Sequence, residues 1–98
     1  MKEYEIVYVL RPDLSDEERA KKVEHIHGLI TNNGGQVDKV DDWGKRVLAY
    51  EIQHHTEGHY GLTLFQMPPQ AVNPMCERLN IDEEILRYQI VATKKVGG

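Results

Sequence analysis

The chain holds few of the residues that carry covalent or redox chemistry. Its 98 residues include one cysteine, one tryptophan and one phenylalanine. The single thiol, Cys76, excludes an intrachain disulfide and fits a reducing compartment. The longest apolar run, Ile6 to Leu10, is too short for a membrane span or the core of a signal peptide. A cytoplasmic protein without a membrane segment is therefore expected. No phosphate loop and no dinucleotide fingerprint occur. Positive charge is also scarce: 12 basic residues stand against 16 acidic ones, a net charge of −4. That argues against a generic nucleic-acid binder, because phosphates are held by Lys and Arg.

The deficit is uneven. Residues 1–84 hold nine basic and sixteen acidic side chains, a balance of −7, whereas residues 85–98 hold Arg87, Lys94 and Lys95 with no acid. Any contact with RNA should therefore be local and shared with a partner. The rest is ordinary globular composition, 40% hydrophobic and 29% charged. That suffices for one compact domain over residues 1–98, with a short basic tail from about Lys94, but not for a deep substrate cavity. No repeat, linker or low-complexity segment divides it.

Tyr4 to Leu10 is β-branched and aromatic and reads as a strand, with Tyr4, Ile6, Tyr8 and Leu10 on one face and Val7 and Val9 on the other. Ser15-Asp16-Glu17-Glu18 forms a capping box, and its acids suit the positive end of a helix dipole. The helix it opens is expected from about Asp16 to Asn33. Its apolar stripe is Ala20, Val23, Ile26 and Ile30 with Leu29 on the flank, and Asn33-Gly34-Gly35 is its stop. Val37 to Ile52 is β-like and interrupted at Gly44, a candidate bulge, with Leu48, Tyr50 and Ile52 on one face. His54 to Gly58 reads as a hairpin turn and His59 to Met67 as the next strand, ended by Pro68-Pro69.

A second helix is expected from about Asn73, as cap, to Asn80, with Val72, Met75, Cys76 and Leu79 on its apolar face. Pro74 is tolerated in its first turn. In the last strand Leu86, Tyr88, Ile90 and Ala92 alternate with Arg87, Gln89, Val91 and Thr93. The order β-α-β-β-α-β with right-handed crossovers predicts a ferredoxin-like α+β fold: a four-stranded antiparallel sheet with both helices on one face.

Catalytic constellations are not found in this pattern. His54, His55 and His59 lie close in sequence, but without clustered Cys or carboxylate ligands they are expected to sit in a solvated turn rather than hold a metal. His25 and His27 point in different directions on a helix and are expected at the surface. Cys76 falls on an apolar stripe and reads as a small core residue rather than a nucleophile. Asp41-Asp42 and Glu83-Glu84 are adjacent pairs, unlike a tuned acid/base pair. No enzyme activity, cofactor or small-molecule substrate is expected. The open face of the sheet carries more information. By alternation it gathers Val7, Val9, Phe65 and Val91 beside Arg87 and Gln89, which suits either a partner or RNA surface or a half-buried face. The aromatic octapeptide of the standard RNA-recognition domain, which shares this topology, is absent.

The run Asp42-Trp43-Gly44-Lys45-Arg46-Val47-Leu48-Ala49-Tyr50-Glu51-Ile52 resembles the signature of a known family, that of the sixth protein of the bacterial small ribosomal subunit. The resemblance extends over almost the whole chain, through Tyr4-Glu5-Ile6-Val7, Arg11-Pro12-Asp13-Leu14, Met67-Pro68 and Ile85-Leu86-Arg87. It implies a ferredoxin-like domain that forms a heterodimer with the eighteenth small-subunit protein and binds the central domain of 16S ribosomal RNA. It implies RNA contacts at Lys2, Tyr4, Arg46 and Arg87, although the parity of Tyr4 with Ile6 and Leu10 equally fits a core role. Trp43, Leu48 and Tyr50 are the candidates for partner packing; Leu48 and Tyr50 fit the core as well. The alternative function is a ferredoxin-like regulatory or small-molecule-binding module that dimerises. It calls for a glycine-rich turn at a helix start, and Gly34-Gly35 instead ends a helix.

Overall fold

The computed structural model describes residues 1–93, so the basic tail expected from Lys94 lies outside the described residues. Its elements are β1 (Lys2–Leu10), α1 (Asp16–Asn32), β2 (Gln36–Ile52), β3 (His55–Met67), a single 3-10 turn (Pro69–Ala71), α2 (Val72–Asn80) and β4 (Ile85–Ala92). The sheet is antiparallel in the order β2-β3-β1-β4, which places β1 in the interior and β2 on an edge. This is the ferredoxin-like arrangement that the sequence predicts.

The β1 alternation becomes the main core. Tyr4, Ile6, Tyr8 and Leu10 pack with Phe65 and Met67 of β3 against Ile26 and Ile30 of α1 and Met75 and Leu79 of α2. Both helices thus cover one face. The α1 stripe is narrower than its spacing predicts, because Val23 and Leu29 are half-buried and Ala20 is exposed. Its start is the expected capping box: the Glu18 amide donates to Ser15 Oγ at 3.1 Å and the Ser15 amide donates to Glu18 Oε1 at 3.0 Å. At its end the Gly35 amide reaches the Ile30 carbonyl at 2.8 Å and the Gly34 amide reaches that of Thr31 at 3.2 Å. Gly34, at φ 82°, supplies the left-handed residue that this closure needs.

Several expectations change in the folded chain. Phe65, expected on the open face, lies in the core, opposite Tyr4 in register and with its ring 5.6 Å from that of Tyr4. Both parities of β3 are apolar, so alternation could not orient it; pairing with β1 does. Leu86 is displaced from the parity of Tyr88 and Ile90, because Ile85 pairs with Leu10 and Arg87 with Val9, leaving Leu86 as an extra residue. It joins Val9 and Leu48 in a second cluster. The hairpin turn is two residues, Gln53-His54, both with positive φ (48° and 68°), and β3 already begins at His55. Such a turn matches strand twist and normally selects Asn-Gly, which hid it from residue-type reading. Asn73 lies inside α2, which begins at Val72 out of the 3-10 turn without a side-chain cap. Pro74 still falls in the first turn, and Cys76 is half-buried rather than buried.

His27 is likewise not a surface residue. Its Nε2 lies 3.1 Å from Oγ1 of Thr63, a fully buried side chain. Burial holds the His27 imidazole below its ordinary pKa, although Glu24 acts in the opposite sense. At the other end of α1, Lys22 Nζ meets Asp82 Oδ2 at 2.6 Å and Glu84 Oε1 at 3.0 Å. This ties the helix to the loop between α2 and β4.

Two measurements test this packing. Ser15→Ala should lower unfolding free energy by about 0.5–2 kcal/mol through the lost cap. Ile26→Ala should lower it by about 2–5 kcal/mol, since it opens a cavity in the closed core. Denaturation midpoints in the reverse order would mean that the α1 face is wrong. The second concerns pH. With its folded pKa depressed, His27 contributes stability that is full above about pH 6.5 and is lost as pH falls through the folded value. His27→Gln should therefore flatten the fall in urea midpoint between pH 7.5 and pH 5; an unchanged slope would remove His27 from the account.

Candidate nucleic-acid and partner interface

The face of the sheet away from the helices is partly closed by the β2–β3 hairpin. Leu48 packs on Val9 and Leu86, with Ile52 and Tyr60 around them, and is only 8% exposed. This second, smaller core holds the arm over the open face. Tyr50, two residues on, is 59% exposed. Its hydroxyl accepts from Arg87 Nη1 at 2.5 Å, and the Arg87 guanidinium carbon lies 5.8 Å from the Tyr50 ring centroid. A residue of β4 and a residue of β2 thus meet across the open face, although β4 and β2 are opposite edges of the sheet.

A second pair lies in the bulge. The register shift between Asp42 and Gly44 leaves Trp43 as the extra residue, and Gly44 takes φ 79°, a left-handed value that glycine adopts without a Cβ clash. Trp43 is 40% exposed. Arg46 Nε donates to its carbonyl at 3.3 Å, and the guanidinium carbon sits 5.8 Å from the indole centroid. Each arginine thus lies beside an aromatic residue and is hydrogen-bonded to it through one nitrogen, with its charge near the ring.

Of the residues singled out in the sequence, Arg46, Arg87, Trp43, Leu48 and Tyr50 belong to the hairpin arm or to the strand it leans on. Lys2 does not join them. It is exposed at the start of β1, seven positions before Val9, the register partner of Arg87. At about 3.3 Å per residue that is roughly 23 Å away. Tyr4 is 8% exposed and its ring belongs to the core. The three histidines do not converge: His54 Nδ1 is 3.5 Å from Glu51, and His59 Nε2 is 2.6 Å from Asp42 Oδ1. Among the described residues no group of three or more His, Cys, Asp or Glu side chains is placed to hold a metal ion.

Sequence reasoning missed Tyr60, Leu62 and Leu86, which share the open side with Val7 and Val9. The signal for the first two was present in the double apolar parity of β3; for Leu86 there was none short of the β1–β4 register. No helix among the described residues is long and apolar enough to cross a membrane.

The arm makes a contrast that can be measured. Arg87→Ala, a change at an exposed side chain, should leave unfolding free energy within about 0.5 kcal/mol. Leu48→Ala should cost about 2 kcal/mol or more, because it removes the apolar contact that holds the arm. Equal effects in thermal denaturation would mean that Leu48 does not anchor the hairpin.

Comparison with known proteins places this architecture. Residues 3–92 match the family model described as ribosomal protein S6. The small ribosomal subunit protein bS6 of Moorella thermoacetica is 42% identical over 90 residues, covering 92% of both chains. That of Natranaerobius thermophilus is 44% identical over 90 residues, covering 92% of this chain and 94% of the other. The crystal structure of 30S ribosomal protein S6 from Thermotoga maritima superposes with a TM-score of 0.89 at 30% identity, covering 94% of this chain and 87% of that one. By sequence over nearly its whole length, and by fold, this chain belongs to the ribosomal protein S6 family.

Proposed function

We propose that this protein is a structural component of the small ribosomal subunit. It binds the central domain of 16S ribosomal RNA as a heterodimer with the eighteenth small-subunit protein, and so acts in the cytoplasm where ribosomes assemble. The observation that carries the reading is the pairing of Arg46 with Trp43 and of Arg87 with Tyr50 beside an apolar patch, in a chain whose net charge is −4. An acidic protein that meets RNA must do so through a few placed cations and leave the remaining phosphates to a basic partner.

In this reading Arg46 and Arg87 contact phosphates or stack on unpaired bases, and Lys2 makes a separate, peripheral contact. Tyr4 contributes from below, by holding β1 in place against Phe65. Trp43 and Tyr50 offer exposed aromatic area to the partner protein, and Leu48 supplies the packed base beneath them.

Filter binding to a platform fragment of the RNA, with and without the partner protein, tests the proposal. Each neutralised phosphate steepens the salt dependence by about 0.7–0.9 log units per log unit of salt. The isolated chain should therefore bind weakly with a shallow slope, and addition of the partner should tighten binding strongly. Arg87→Ala should weaken the ternary complex without unfolding the protein. Tight, sequence-specific binding by this chain alone would overturn the reading.

A further inference from the structure

The bulge at Trp43 decides which way the arm faces. Asp42 and Arg46 are four residues apart and would share one face of a regular strand. Instead Asp42 stands opposite Gly61 and Arg46 opposite Gly58, three positions apart on β3. A Cβ on Gly61 would strike Tyr8 of the main core, whereas one on Gly58 would strike Val9 of the smaller core. The two glycines therefore mark opposite faces of the sheet. The extra residue at Trp43 carries the chain from one face to the other, so Arg46 comes to the same side as Leu48 and Tyr50. A bulge displaced beyond Arg46 would return that arginine to the helical side.

Glycine makes this bulge possible without fixing it. Gly44 has open space where a Cβ would stand, so its φ of 79°, and not crowding, is what requires it. The restraint comes from one side chain. Asp42 Oδ1 accepts from the Gly44 amide at 2.9 Å, bridging the extra residue, and lies 2.6 Å from His59 Nε2. A carboxylate only accepts, so His59 donates from Nε2. Burial pushes the Asp42 carboxyl up, but the Gly44 amide, His59 and Arg19 together hold it below its ordinary value. The His59 side chain is 13% exposed and belongs to β3, so it ties the carboxylate to the neighbouring strand.

We propose that Asp42 and His59 are positioning residues: they pin the bulge at Trp43 and thereby set Arg46, Leu48 and Tyr50 on the open face for association. The inference rests on the reading of that face as an RNA and partner surface. Asp42 and His59 themselves stand on the helical side. Their loss lowers the fraction of molecules that present the arm in its binding shape, while the contacting side chains remain.

Trp43 is the only tryptophan, so its emission reports on the bulge directly. The experiment measures acrylamide quenching of Trp43 and amide exchange of Gly44 in the free full chain. It then measures Kd for the ternary complex with the platform RNA fragment and the eighteenth protein. Asp42→Ala alters a side chain that is 66% exposed, so the variant should fold. It should speed Gly44 exchange about tenfold, as loss of one hydrogen bond does. Trp43 quenching should rise, and Kd should rise about three- to tenfold. His59→Ala should act in the same direction. Asp42→Asn keeps the acceptor and His59→Gln keeps a donor, so each should restore all three readouts. Unchanged exchange and quenching in Asp42→Ala would overturn the clamp. Faster exchange with an unchanged Kd, while Arg46→Ala still raises Kd, would overturn the positioning role and leave the surface reading standing. An Arg46→Ala variant with unchanged Kd would count against that reading itself, and the positioning role would fall with it.

Discussion

The burial of β1 on both of its faces is the constraint on which the rest of the molecule depends. Paired with β3 on one side and β4 on the other, the strand contributes Tyr4, Ile6, Tyr8 and Leu10 to the core under the helices and Val9 to the smaller core beneath the hairpin. A slip of one residue would exchange the two sets. The main core fixes where the helices lie, and the smaller one fixes where the hairpin leans. Arg87 and Tyr50 meet only because both cores agree on a single β1 register.

That dependence explains what could be read from the chain before folding. Elements set by local chemistry were legible: the capping box at Ser15, the stop at Asn33-Gly34-Gly35 and the alternation of β1 each declare themselves within a few residues. Elements set by pairing were not. Both parities of β3 are apolar, so the side taken by Phe65 waits on its alignment with Tyr4. The excess residue at Leu86 is visible only once Ile85 and Arg87 have found their partners. Gln53-His54 is a two-residue turn without the glycine or asparagine that would announce it. His27 illustrates a different limit: its polarity reads as surface, yet the buried hydroxyl of Thr63 gives it a partner and a reason to be half inside.

The candidate interface divides in the same way. The signature around Trp43 to Ile52 marks the hairpin arm from sequence, and Arg46, Leu48 and Tyr50 all lie on it. Tyr4 was marked by the same resemblance but is committed to the core, and Lys2 sits at the far end of β1 from the arm. The electrostatic layout then becomes intelligible. Two arginines are paired with aromatic rings on the hairpin side, whereas the acids Asp42, Asp16 and Glu24 lie on the helical side. The net charge of −4 thus averages over two unlike faces, and the sheet separates them.

The hairpin arm has a thermodynamic consequence for any encounter with another molecule. An arm of this length joined only at its base would sample many orientations, and a partner would have to supply the entropy of fixing it. Here Leu48 on Val9 and Leu86, together with the Tyr50–Arg87 contact, fixes the arm during folding. The ordering cost falls on the folding equilibrium and is absent from the association step, so more of the contact free energy appears as affinity. Loosening the arm would then weaken association even where every contacting side chain is unchanged, because the same surface would be offered for a smaller fraction of the time.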